Sequence, residues 1–167
     1  MGYAETLNKL SRRNVLKFGL SSIGTTVLAA IGIYFQEQDP YYQTKNCLQT
    51  QFSKAGLAIA EKARTNDFNP VVIDKTKFYI NELKGDPADD KNTARMRENF
   101  AVKGVILSQE GKESPKVQVL INYASHIFKE TGFTRKELRN FSDQQVAYVL
   151  LETAKRAEDI YLRCATS

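Results

Sequence analysis

A chain of 167 residues, 42% apolar, 26% charged and 10% aromatic, has room for one domain; disorder, collagen-like repetition and low complexity are excluded. Two cysteines and one histidine exclude a cysteine-rich zinc module and a disulfide-dense scaffold. The net charge of +5 is concentrated at the start, where Lys9, Arg12, Arg13 and Lys17 against Glu5 give residues 1–35 a charge of +3. The remainder is close to neutral, so the basic balance gives no warrant for a nucleic-acid surface.

The run Ser11-Arg12-Arg13-Asn14-Val15-Leu16-Lys17 precedes 18 residues without a charge, Phe18 to Phe35, diluted by Gly, Ser and Thr. A positive segment before a mildly apolar one is the order of an export signal. Ser11, Arg12, Arg13, Leu16 and Lys17 resemble the bacterial twin-arginine translocation signal, with Val15 where Phe is usual. A second reading is a plain membrane anchor with its positive flank, near the lower end of the ~17–25 residues that span a bilayer. Cleavage near Val27-Leu28-Ala29 or Leu28-Ala29-Ala30 and retention both stay open. A retained segment would tether the chain to the inner membrane through residues 18–35. The expected organisation is a signal or anchor over 1–35, a polar linker over 36–43 and a helical domain over 44–167.

The domain reads as a succession of helices. From about Thr44 to Arg64, Leu48, Phe52, Ala55, Ile59 and Ala63 recur at helical spacing, and Thr65-Asn66-Asp67 stops them. Asn69-Pro70 offers a cap and first-turn proline, and Asp74 can cap a helix that runs to Lys84 and stops at Gly85. Asp86 to Asp90 opens the next helix with carboxylates at its positive end. Along it Met96, Phe100, Gly104 and Leu107 define the expected inward face, and Ser108 to Glu113 is expected to be a loop. Ser114-Pro115 starts a helix with a stripe of Val117, Leu120, Ile121, Ala124, Ile127 and Phe128, closed by Gly132. Thr134 with Glu137, and Ser142 with Gln145, have the spacing of capping boxes. The last helix carries the strongest stripe: Val146, Val149, Leu150, Thr153, Ala157, Ile160, Tyr161 and Cys164. These patterns predict an all-α bundle of five or six helices after an N-terminal signal or anchor helix. The alternative is an α+β domain with short strands near 71–73 and 102–107.

Residues for catalysis are sparse, and no catalytic, cofactor-binding or metal-ligating set is assigned. His126, with Glu130 four residues on, is short of the three or four ligands that zinc or iron takes, and reads as a surface or rim histidine. Asp86, Ala88, Asp90 and Asn92 loosely resemble a calcium loop, but Lys91 replaces the required Gly and Arg97 the bidentate Glu. Glu152, Glu158 and Asp159 read as a solvated helix face, and Tyr41-Tyr42 as a weak interfacial anchor. Cys47 and Cys164 lie near the two ends of the body, and an oxidising compartment would let them join. Two buried thiols, or a bridge to a partner subunit, are the alternatives.

Twin-arginine export carries folded proteins, usually with a cofactor, yet this body has no recognisable cofactor site. The organisation resembles that of small subunits of exported flavin dehydrogenases, the gluconate 2-dehydrogenase and sugar dehydrogenase small-subunit families: a twin-arginine signal, a short helical body and few cysteines. The resemblance implies a non-catalytic small subunit or export escort of a periplasmic, membrane-associated oxidoreductase. Its partners would be the twin-arginine translocase and a larger, cofactor-bearing subunit, met through an exposed apolar patch. The alternative is a stand-alone, membrane-tethered helical binding or structural protein.

Overall fold

The computed structural model describes residues 40–165, with side chains over 44–164. Residues 1–39, which hold Ser11, Arg12, Arg13, Leu16, Lys17 and the uncharged run 18–35, lie outside the described residues. Contacts divide the chain into two units, Met1–Asn46 and Cys47–Ser167. The second unit holds the helical body, apart from the first turns of α1.

The described residues form six helices and no strand: α1 (Pro40–Thr65), α2 (Lys77–Lys84), α3 (Lys91–Glu110), α4 (Pro115–Glu130), α5 (Arg135–Asn140) and α6 (Asp143–Ala165). α1 starts at Pro40 rather than near Thr44, because proline is tolerated in a first turn. It ends where Asn66 turns left-handed at φ 55°.

The start signals are legible down to single hydrogen bonds. Val117 N donates to Ser114 Oγ at 3.2 Å ahead of α4. In the Thr134 box, Glu137 N donates to Thr134 Oγ1 at 3.1 Å and Thr134 N donates to Glu137 Oε2 at 2.8 Å. The Ser142 box has Gln145 N on Ser142 Oγ at 3.1 Å and Ser142 N on Gln145 Oε1 at 2.8 Å. Each satisfies backbone N–H groups that a helix start leaves without an intrahelical partner.

Several expectations need correction. α2 begins after Thr76, whose side chain makes no capping bond, and Asp74 does not cap it, because residues 73–76 first close a turn in which Thr76 N donates to Ile73 O at 2.7 Å. No helix starts at Pro70, and 71–73 is not a strand either. Val71 N donates to Gln144 Oε1 at 2.9 Å and Gln144 Nε2 donates to Val71 O at 3.0 Å, so one side chain takes the place of a paired strand. The other proposed strand, 102–107, is helix; α3 runs to Glu110, and Gly111 at φ 76° stops it inside the expected loop.

The core is one cluster to which α1, α2, α3, α4, α5 and α6 contribute. α6 is its axis: α2, α3 and α4 pack against it, and Val146, Ala147, Val149 and Leu150 are buried on it. Ile59, Ile80, Ile127, Leu138 and Leu150 are fully buried, each worth roughly 1.5–3 kcal/mol of transfer free energy. α1 crosses α4 at Gly56, where a Cβ would lie 2.5 Å from Glu130 Cβ and 2.8 Å from Ile127 O. Hydrogen in place of a side chain is what lets the two backbones approach this closely.

Candidate functional site

Cys47 on α1 and Cys164 on α6 are joined by a disulfide, 117 residues apart in sequence, with Cα atoms 6.2 Å apart. The intrachain pairing is therefore the one of the three sequence alternatives that the fold adopts. Beside it Phe52 meets the Tyr123 ring edge-on at 5.1 Å. Lys116 donates to Glu158 Oε1 at 3.0 Å, which ties the start of α4 to the end of α6. This hydrogen bond raises the Lys116 pKa, and burial raises that of Tyr123, with the Tyr161 phenol adding to it.

The opposite pattern occurs on α2 and α3. Phe78 is 60% exposed, Met96 71% and Phe100 50%. Phe78 and Phe100 touch across the two helices with ring centroids 6.0 Å apart, and Tyr79 completes the cluster at 5.6 Å from Phe78 and 6.2 Å from Phe100. The expected inward face of α3 is thereby overturned for Met96 and Phe100. The buried residues are Ala94, Ala101, Val102, Gly104, Val105 and Ile106. Gly104 is part of both patterns, because the Tyr79 ring occupies the space its side chain would take.

Lys75, Lys77, Arg95 and Lys103 are exposed around these aromatic residues. The neighbouring carboxylates are mostly taken: Arg97 pairs with Asp89 at 2.9 Å and Glu82 at 3.5 Å, and Lys103 with Glu113 at 3.6 Å. Asp74 is exposed beside Lys75. The result is an outward apolar face with a rim of mixed charge.

No protein-family model, curated protein or solved structure matches the chain. Its function is therefore read from the residues themselves.

A second surface feature is a groove of about 370 Å³ between α1 and α6. Ala55, Ala58 and Ile160 give it an apolar floor; Gln51, Lys54, Arg156, Asp159 and Arg163 give it a polar rim. The face carrying Glu152, Glu158 and Asp159 is thus more than a solvated face. Glu152 accepts from Arg156 Nε at 2.9 Å, Glu158 holds Lys116, and Asp159 lines the groove.

The remaining sequence candidates fall into structural roles. His126 is exposed and stacks flat on Phe52, centroids 5.3 Å apart and planes 5° from parallel. No ion pair joins it to Glu130 among the described residues. In the 86–90 loop, Asp86 Oδ1 accepts from Ala88 N at 2.8 Å, Asp89 is held by Arg97, and Asp90 caps α3 by accepting from Thr93 N at 2.7 Å. Arg135 Nη2 donates to the Asp89 and Asp90 carbonyls at 3.2 and 3.3 Å. Those carboxylates fold a loop and start a helix. Among the described residues, no group of three His, Cys, Asp or Glu side chains is placed to hold a metal ion, and no helix is long and apolar enough to cross a membrane. Sequence reasoning missed the α2–α3 aromatic face. Its one available signal was Phe78, an apolar residue that the pattern ending at Lys84 and Gly85 does not need.

Proposed function

We propose that the chain is exported through its twin-arginine pattern and acts outside the inner membrane as a non-catalytic small subunit or escort of a larger oxidoreductase. The observation that carries the reading is the Cys47–Cys164 bond, which closes the body behind Ser11-Arg12-Arg13-Asn14-Val15-Leu16-Lys17. Disulfides form and persist in the periplasm and are rare in a reducing cytosol. The pairing and the address thus favour the same side of the membrane. The α1–α6 groove offers a larger subunit an apolar floor with charged edges, the usual anatomy of a protein contact.

Two measurements test this. Replacing Arg12 and Arg13 together by lysine is expected to leave the product in the cytoplasm; unhindered appearance outside the inner membrane overturns the export reading. The native protein recovered from membranes is expected to bring a flavin- or haem-absorbing partner. Recovery without a larger partner removes the subunit reading and leaves the second one, a stand-alone, membrane-tethered binding or structural domain. The α2–α3 face favours that second reading, because its exposed aromatic cluster offers a contact surface of its own.

A further inference from the structure

We infer that the Cys47–Cys164 bond is closed and opened on the folded body through one sulfur. Cys47 Sγ meets an external disulfide or thiol, and Cys164 is the internal partner that resolves the mixed disulfide. The two cysteines differ in access. Cys164 is 2% exposed and belongs to the buried core, whereas Cys47 is only partly buried and packs against that core. Exchange requires the attacking thiolate to approach a sulfur from the side away from the leaving one, so access helps decide which sulfur is attacked. Cys47 has solvent-exposed surface for such an approach and Cys164 has almost none.

The helices that carry the two sulfurs are also held differently. α6 is buried along its stripe from Val146 through Ile160 to Cys164. α1 is anchored in its second half: Ile59 and Ala63 are buried, Gln145 Nε2 donates to Ala63 O at 2.8 Å, and Arg64 pairs with Glu137 at 2.9 Å. Toward the start of α1 burial declines, through Phe52 at 9% to the partly buried Leu48 and Cys47. Local opening of that start uncovers Cys47, whereas uncovering Cys164 unpacks the axis of the core, so the first costs less.

Closure balances in two steps. The Cys47 thiolate attacks one sulfur of an external disulfide; that S–S bond breaks, and the other half leaves as a thiolate that takes up the proton Cys47 released. The Cys164 thiolate then attacks Cys47 Sγ and expels the second half in the same way. The chain loses two electrons and two protons, and the external disulfide becomes two thiols. Opening is the reverse, with an external thiolate joining Cys47 and Cys164 leaving. Only Cys47 has to be reached, so the bond is made without unfolding the core. The inference concerns the folded body and does not rest on export or on an oxidoreductase partner.

Glutathione is the probe. Full-length wild type is treated with reduced glutathione and quenched with N-ethylmaleimide. Peptide mass mapping is expected to find glutathione on Cys47 and the maleimide on Cys164. Full-length Cys164→Ser is expected to take up glutathione from oxidised glutathione about tenfold faster than Cys47→Ser does, and the two rates should converge in urea. The wild-type map does not depend on how either variant folds. Glutathione found equally on both sulfurs, or mainly on Cys164, overturns the inference. Equal rates in two variants that are folded by circular dichroism overturn it too, as does wild-type exchange that occurs only in urea.

Discussion

The α1–α4–α6 side of the domain and its α2–α3 side use close approach for opposite ends. On the first, Gly56 brings two backbones together, a disulfide locks the far end, and Phe52 covers the interior. On the second, Gly104 admits only a side chain, the Tyr79 ring, and the aromatic residues beyond it remain in solvent. A helix pair whose backbones meet has no slack. The α2–α3 pair also packs closely, but it seats a ring at Gly104 and keeps aromatic residues on an outer surface that can bind. Stability and contact chemistry are thereby divided between two sides of one small core.

The sharpest way to break the comparison is to open the closed side. Cys47→Ser with Cys164→Ser removes a cross-link spanning 117 residues, which the chain-entropy relation values at about 4–5 kcal/mol. Urea unfolding followed by circular dichroism should show that loss, and treating the wild type with reductant should reproduce it. A midpoint unchanged in both would mean that the bond contributes nothing to closure of the α1–α6 end.

The two glycines give the next largest effect and the most direct contrast. Gly56→Ala meets the Glu130 and Ile127 main chain, which cannot rotate away, and is expected to cost about 1–3 kcal/mol despite the better helix propensity of alanine. Gly104→Ala displaces the Tyr79 ring, and the net cost should be below about 1 kcal/mol. Thermal melts of the two variants decide the ordering. If Gly104→Ala is the more damaging, the α2–α3 side is as tightly packed as the other.

What the sequence disclosed obeys the same division. On α6 the apolar residues occupy one stripe, and Val146, Val149, Leu150, Thr153, Ala157, Ile160 and Cys164 are all buried as spaced. The caps at Ser114, Thr134 and Ser142 were equally plain, since each is a local exchange between a side chain and the next turn. α3 was ambiguous because it has apolar residues nearly all round. Periodicity finds Met96, Phe100, Gly104 and Leu107 as readily as Ala94, Ala101 and Val105, and only the tertiary position of α2 selects between them. Val71 to Ile73 deceived for a related reason: its pairing partner is the Gln144 side chain, 73 residues on from Val71. The Cys47–Cys164 pair was visible as a candidate but not as a fact, because spacing alone does not bring two ends together.

A smaller effect should appear on the closed side in acid. The Arg64 guanidinium, donating to Glu137 Oε1 at 2.9 Å, and the Thr134 backbone N–H hold the Glu137 carboxyl at about 2, below its ordinary 4.5. A carboxylate with a lowered pKa adds stability above its ordinary value and loses it as the pH falls toward the folded value. Wild type and Glu137→Gln should therefore differ by a constant margin above pH 5, and the margin should close between about 4.5 and 2. A margin that persists at pH 2 would assign it to packing instead of charge.

The smallest expected effect sharpens the comparison most, because it separates exposure from importance. Met96 is 71% exposed and joins none of the ring contacts of the aromatic cluster. Met96→Gln should change the unfolding free energy by less than about 0.5 kcal/mol, the ordinary range of a surface substitution. The same change in Leu150, buried to 2%, would place an amide in the core without a partner and cost several times more. A Met96→Gln protein that melts like the wild type establishes that folding does not require an apolar side chain at this position. A pronounced loss would instead show that the α2–α3 face is covered in solution, since only a buried methionine is that expensive to replace. Calorimetry of the full chain across a range of protein concentrations then says whether a second copy is the cover.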